Sequence, residues 1–304
     1  MMVSFVIPAY NEKDYIKSSV GSIYSCCKGV FPFEIVVVNN GSTDNTLKIL
    51  KETQYDSLRV EDLKQRVTIS SARNIGWKKT SGEIIAFIDA DVLITKEWAQ
   101  RLSSRLSEIR NNPMQLTGCR YKLSKNPSWV ELCWFDYFEE ETTYINGGNI
   151  ITTKRALSLL RGFDENLETG EDVDLCRRAR KKGLSVNIDN KLFTHHEGNP
   201  QNLKSFFLRE QWHGIGDVTS LSRFIRSKVA VFSVVNTLML TLSFSYILIN
   251  IKIFAALFTV TLTAHFIAIF KRFKKVKLKH LPSILFLHIL YCGARTLSVF
   301  KAKI

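Results

Sequence analysis

The pattern of apolar and polar positions changes near residue 225, and the two parts predict different solvents. Upstream, Val3 to Ala9, Glu34 to Asn39 and Ile84 to Ile88 are short runs rich in Val, Ile and Phe. They are apolar on both faces, as strands buried in a parallel sheet must be. Between them apolar residues recur at helical spacing, at Tyr15, Ile16, Val20 and Ile23 within Glu12 to Cys26, and at Leu47, Ile49 and Leu50 within Thr43 to Glu52, which opens on cap-type residues. One more strand is expected at Leu184 to Ile188. Strand and helix in alternation predict an α/β domain over residues 1–225 with a mainly parallel central sheet. In such sheets ligands bind beyond the carboxyl ends of the strands, so the residues after each strand are the ones that matter.

Downstream, residues 226–304 read as a membrane region. Val229 to Ile249 carries no charge, and Ile253 to Phe270 is broken only by His265 and a few small polar residues. Each is close to the ~17–25 residues that cross a bilayer as a helix. Asn250-Ile251-Lys252 joins them into a hairpin. Two core helices of a soluble bundle are the alternative, but such helices keep a polar face and these do not. Leu281 to Phe300 is apolar yet interrupted by Pro282, His288, Gly293 and Arg295, which leaves open a third span, a re-entrant piece or an interfacial helix.

Charge sharpens this division. The net charge is +14, but after Asp217 there is no acid while 13 Lys and Arg remain, so the upstream part is nearly neutral. A nucleic-acid stripe across it is therefore not expected. Arg223, Arg226 and Lys228 precede the first apolar stretch, and a basic run from Lys271 to Lys279 follows the second. The positive excess puts both flanks, and the 1–225 domain, on the cytoplasmic side of the cytoplasmic membrane. That run also suits anionic headgroups, at about 1 kcal/mol per basic residue. Met1-Met2 leads straight into Val3-Ser4-Phe5 without the features of a signal peptide. The six Cys are scattered, with no CxxC pair, as in a reducing compartment.

The three strand ends are polar: Pro8-Ala9-Tyr10-Asn11-Glu12, Asn39-Asn40-Gly41-Ser42-Thr43-Asp44 and Asp89-Ala90-Asp91. No GxGxxG follows the first strand and no GxxxxGK[ST] occurs, so neither a dinucleotide fold nor a P-loop is supported. Asp89 and Asp91, two residues apart after a strand, point the same way and can share a cation; an ordinary pair of turn aspartates is the plainer account. Glu171-Asp172 follows Gly170 and opens a helical pattern, where acids stabilise the helix dipole by ~0.3–1 kcal/mol.

The ordered set VSFVIPAYNE, EIVVVNNGSTDNT, SARNIGWKKTSGEIIAFIDADV, GGNIITTKRAL, GFDENLETGEDVDLCRRARKKG and HHEG resembles family 2 glycosyltransferases, inverting enzymes with the nucleotide-sugar fold called GT-A. The resemblance runs from about Val3 to about Gly216, and the C-terminal hairpin resembles membrane-attached members. It implies that Asp89 and Asp91 hold Mn²⁺ or Mg²⁺, with His195 a candidate third ligand, although a structural role for His195-His196 fits as well. It implies that Asp172 is the general base, ahead of Glu171. Pro8, Ala9, Tyr10, Glu12, Asn39, Asn40, Arg73, Asn74, Asp89 and Ala90 fall in the donor pocket it implies, and Gly147, Gly148, Asn149 and Trp212 by the acceptor and sugar. Each has a plainer reading as well: a strand end for Pro8, a surface arginine for Arg73, a positive-φ turn for Gly147-Gly148.

Asn39-Asn40 departs from the family's Asp-bearing pair, and an amide both donates and accepts, which leaves uracil selectivity open. Gln211-Trp212 with Arg209 and His213 lacks the full pattern of processive synthases, so transfer of a single sugar is expected. Between Lys125 and Asn146, Trp129, Trp134, Phe135, Tyr137 and Phe138 beside Glu139-Glu140-Glu141 suit either stacking on a sugar or rest at a membrane surface. The expected activity is metal-dependent, inverting transfer from a nucleotide sugar, UDP-linked by preference, to a lipid-linked or glycan acceptor. An inactive membrane-tethered binder of nucleotide sugars is the alternative, and a small transporter or scaffold fails to explain the ordered acidic motifs. The oligomeric state stays open, a homo-oligomer included.

Overall fold

The computed structural model describes residues 1–136, 143–167, 169–273 and 276–301. They divide into two compact units, one within 1–125 and 140–198, the other within 126–139 and 199–304.

The first unit is built on strands β1 (Val3–Ala9), β2 (Phe33–Asn40), β3 (Leu58–Leu63), β4 (Ile84–Ile88), β6 (Gln115–Gly118), β7 (Asn149–Thr153) and β8 (Ser185–Ile188), with β5 (Val92–Leu93) and β9 (His195–His196) as a separate short pair. The large sheet runs β3-β2-β1-β4-β7-β6-β8. β1 pairs in parallel with β2 and β4, and β2 with β3, while β7 lies antiparallel between β4 and β6. The mainly parallel sheet expected from the runs of Val and Ile is thus present, with β1 and β4 at the expected residues.

Alternation along the strands feeds two layers. Val3, Phe5, Ile7, Ile84, Ala86 and Ile88 pack with Ile16, Val20, Ile23, Trp98 and Leu102 from helices on one face. Val6, Ile85 and Phe87 pack on the other with Ala156, Leu157, Leu175 and Ala179. A strand covered on both faces needs no polar side, which is why these runs are apolar throughout. Helix Ile69–Lys78, capped by the Thr68 hydroxyl, carries Arg73 and Asn74. Helix Glu171–Lys181 starts after Gly170 in the left-handed region, φ 78°, and places Glu171, Asp172 and Asp174 in its first turn.

The second unit is helical, with a core of Val130, Trp134, Phe206, Ile269, Phe273, Leu287 and Tyr291. Trp134 sits edge-on to Phe206 at 5.1 Å and to Phe273 at 5.2 Å. Of the aromatic segment noted in the sequence, Trp134 is thereby core, Trp129 is exposed, and Tyr137, Phe138 and Glu139-Glu140-Glu141 lie outside the described residues. Three helices, Lys228–Ser245, Ile251–Arg272 and the segment Leu278–Phe300, are long and apolar enough to cross a membrane. The third is continuous through Leu281–Leu297 because Pro282 falls in its first turn, where no intrahelical N–H bond is lost. Apolar residues on these helices face outward, as Leu238 does at 61% exposure.

Candidate active site

The site gathers beyond the carboxyl ends of β1, β2 and β4, and its centre is a buried arginine. Arg73, 1% exposed, bonds Asp89 Oδ1 through Nη2 at 2.6 Å and Glu171 Oε1 through Nη1 at 2.5 Å. It is neither a surface arginine nor a residue left free for a donor. Two carboxylates brought this close repel each other, and a guanidinium fork between them removes that cost.

Asp89 has both oxygens engaged, since Oδ2 accepts the Tyr121 hydroxyl at 2.6 Å. That hydroxyl in turn accepts the Gly148 N–H at 2.7 Å. A Cβ on Gly148 would stand 2.3 Å from Asp89 Cγ. Neither Gly147 nor Gly148 has a positive φ, so close approach, rather than turn geometry, calls for glycine at 148.

Asp91 is placed differently. Its carbonyl accepts the Glu197 N–H at 2.8 Å, and its Oδ2 lies 3.2 Å from His196 Nε2. The β5–β9 pairing sets Leu93 opposite His195 and Val92 opposite His196. Neighbours along a strand face opposite ways, so only one histidine can meet Asp91. It is His196; His195 Nδ1 meets the Leu123 carbonyl at 2.7 Å instead. The Tyr121 ring stacks on His196 with centroids 5.0 Å apart, and Gly198 leaves the space a side chain would take from Asp91 Oδ2.

Glu12 shares this environment: burial, and then the charges of Asp91 and Asp89, push its carboxyl up to about 8. Burial is the larger cause, but the charges of Asp91 and Asp89 add to it, and a divalent cation fits the cluster on that second ground. An Asp oxygen and an imidazole nitrogen 3.2 Å apart also suit two ligands of one ion.

Asp172 stands next to Glu171 in sequence but is free of the arginine. Its Oδ2 accepts the Gly147 N–H at 3.0 Å and its Oδ1 the Val173 N–H at 2.7 Å. Burial and then the Glu171 charge raise its pKa, while the two N–H groups and Arg73 act against that.

Three sequence expectations change on contact with these surroundings. Asn74 is buried and its amide is engaged by Phe163, Glu165 and Trp77, so it braces a loop and is not left to touch a donor. Asn149 is wholly buried, bonded to Trp98 Nε1 and the Leu192 carbonyl, and has no face for a sugar. Asn40 holds Val67 through both ends of its amide, at 2.8 and 2.9 Å. Pro8 lies in the last two residues of β1, which ends at Ala9 as expected, with both residues buried.

Tyr10 packs under the Arg66 guanidinium at 4.2 Å, and Ala90 is buried between the two aspartates. Asn39 donates to Asp62 at 2.7 Å, and its carbonyl oxygen is buried without a hydrogen-bond partner among the described residues. Trp212 is 56% exposed on a helix of the second unit. Tyr121, His196, Gly198 and Asp62 were not singled out as site residues from sequence. His196 and Gly198 lay within the quoted HHEG; Tyr121 and Asp62 carried no motif signal.

Residues 4–156, half of the chain, match the family model described as Glycosyl transferase family 2. Among curated proteins, glycosyltransferase AglE of Haloferax volcanii is 26% identical over 208 residues, 65% of this chain and 67% of that protein. For three other curated relatives the match spans 15 to 34% of their length. Among solved structures, mannosyltransferase PcManGT from Pyrobaculum calidifontis, in complex with GDP-Man and Mn²⁺, is similar at a TM-score of 0.56 and 16% identity, covering 98% of this chain and 86% of that one. TarS 1-349 of S. aureus with UDP-GlcNAc is similar at 0.51 and 19% identity, covering 99% and 91%. At these identities the likeness concerns the fold.

Proposed function

We propose, on the premise that this chain belongs to glycosyl transferase family 2, that it is an inverting, metal-dependent enzyme transferring a single sugar from a nucleotide donor, UDP-linked by preference, to a lipid-linked or glycan acceptor. The observation that carries this reading is the division of labour around Arg73: one acid of each pair, Asp89 and Glu171, is fixed by the guanidinium, while Asp91 meets His196 and Asp172 meets two backbone N–H groups.

Asp91 and His196 are the residues that would hold the cation, with Asp89 supplying negative charge beside it. Bound there, Mn²⁺ or Mg²⁺ neutralises charge on the departing diphosphate. Asp172 takes the proton of the acceptor hydroxyl as that oxygen attacks the anomeric carbon. Its burial favours proton uptake, and the Gly147 and Val173 N–H groups fix its direction. Glu171, ion-paired at 2.5 Å, is unsuited to that role. The Asn39 carbonyl oxygen accepts the imide N–H of the donor base. Because Asp62 fixes the amide nitrogen, the remaining oxygen is an acceptor as a carboxylate would be, which supports the enzyme reading over an inactive binder.

TarS is named with UDP-GlcNAc and PcManGT with GDP-Man and Mn²⁺, and both fit a nucleotide-sugar donor here. The apolar helices of the 226–304 region tether the 1–225 domain to the cytoplasmic face of a membrane, where a lipid-linked acceptor resides.

The test is nucleotide release by the purified full chain against a panel of UDP- and GDP-sugars, with membrane extract as acceptor and Mn²⁺, Mg²⁺ or chelator present. Release that needs both cation and acceptor is expected. Tight donor binding with no turnover under any pairing would overturn the enzyme reading in favour of a binder. In sealed vesicles with the cytoplasmic face inside, added protease should spare residues 1–225; their rapid digestion would overturn the orientation.

A further inference from the structure

The second unit contains a cluster that sugar transfer does not use. Helix Ile251–Arg272 has three buried residues among its 22, Thr261, His265 and Ile269, spaced four apart along one seam. A histidine at the middle of an otherwise apolar seam is costly unless something answers it. His288 and Cys292 answer it from one face of helix Leu281–Leu297, four residues apart. His265 Nδ1 and His288 Nδ1 are 2.8 Å apart, and the ligand atoms of the two histidines and Cys292 lie within 4.8 Å of one another. All three residues are 3% exposed or less. Phe232 closes the cluster, its ring 6.1 Å from His265 and 6.0 Å from His288. Ser233, on helix Lys228–Ser245, is fully buried, with its hydroxyl beside the Cys292 thiol.

We infer that His265, His288 and Cys292 form a binding site for a thiophilic d¹⁰ cation, Zn²⁺ or Cu⁺, which pins the second and third apolar helices together. Two imidazoles and a thiol are the donor set such ions select over Mg²⁺ or Ca²⁺, which take oxygen. Ser233 supplies an oxygen toward a fourth position. Loading releases the Cys292 proton, since the thiolate is the ligand. The site is separate from Asp91, and a failure of either reading leaves the other standing.

The test uses the full chain in lipid nanodiscs with Asp91→Ala as the parent, so that no ion is held at the proposed catalytic site. After exposure to Zn²⁺, or to Cu⁺ under reductant, and desalting in metal-free buffer, the parent should retain about one ion per chain in at least one arm. Co²⁺ should give thiolate charge-transfer absorption. Adding Cys292→Ser should abolish that absorption and weaken retention about tenfold or more, and His288→Gln should weaken retention similarly. The ion that is retained should also raise the parent's thermal midpoint but not that of the Cys292→Ser form. Retention in neither arm, or retention and absorption unchanged by Cys292→Ser, overturns the proposal.

Discussion

The two acidic pairs of the first unit, Asp89 with Asp91 and Glu171 with Asp172, look alike in sequence and are used alike up to a point. In each, the first acid is held by Arg73. They differ in what meets the second. Asp91 faces an imidazole, a group that shares a cation, whereas Asp172 faces two backbone N–H groups, which leave it unable to do anything but accept. On the proposed reading, one buried arginine thus divides four carboxylates into two that build the site and two that work in it.

The strongest way to break that comparison is to show that the two working acids are interchangeable. Asp91→Ala should lower kcat/KM by about 10³-fold, the several kcal/mol expected of a cation at the leaving group, and abolish the cation dependence of donor binding measured by calorimetry. Asp172→Asn should lower kcat by ~10²–10⁴-fold with cation-dependent donor binding intact. Identical behaviour of the two variants would erase the distinction.

Arg73→Met tests the shared half. With Asp89 and Glu171 left facing each other, it should cost about 3 kcal/mol, seen as a thermal midpoint lower by roughly 6–12 °C at this domain size. An unchanged midpoint would mean that the arginine is not what holds the pairs. Tyr121→Phe removes one bond to Asp89 while keeping the stack on His196, and should weaken the half-saturating Mn²⁺ concentration about tenfold with little change in kcat at saturation.

The smallest effect is on pH. The raised pKa of Asp172 means that its proton returns at a higher pH than for an ordinary aspartate. The acid limb of the kcat profile should therefore lie above the usual range near 4, and activity should fall as pH drops through it. An acid limb at the ordinary value would show that burial does not tune this base.

Legibility from the sequence followed the same physics. β1 and β4 could be read residue by residue because their apolar runs are buried on both faces. β3, LRVEDL, could not, since it is an edge strand and its charged residues belong at an edge. β6 and β7, QLTG and NIITT, are short and rich in Gln, Asn and Thr whose polar groups bond inside the fold, so no period marks them. The antiparallel insertion of β7 leaves no local trace at all. In the site, Asp89, Asp91 and Asp172 stood out through their motifs, but Arg73 finds partners 16 and 98 residues away and Tyr121 finds one 32 away, and spacing along the chain says nothing about such meetings.

Helix Ile251–Arg272 buries Thr261, His265 and Ile269 and turns most of its remaining surface outward. Selection can therefore grip this helix only along a narrow line. Across its outward surface, Leu, Ile, Val and Phe should replace one another freely during sequence drift, while those three positions hold still. Saturation mutagenesis of the helix should consequently give a barcode with a four-residue stride, in which tolerance depends on side-chain identity on one stripe and on hydrophobicity alone everywhere else.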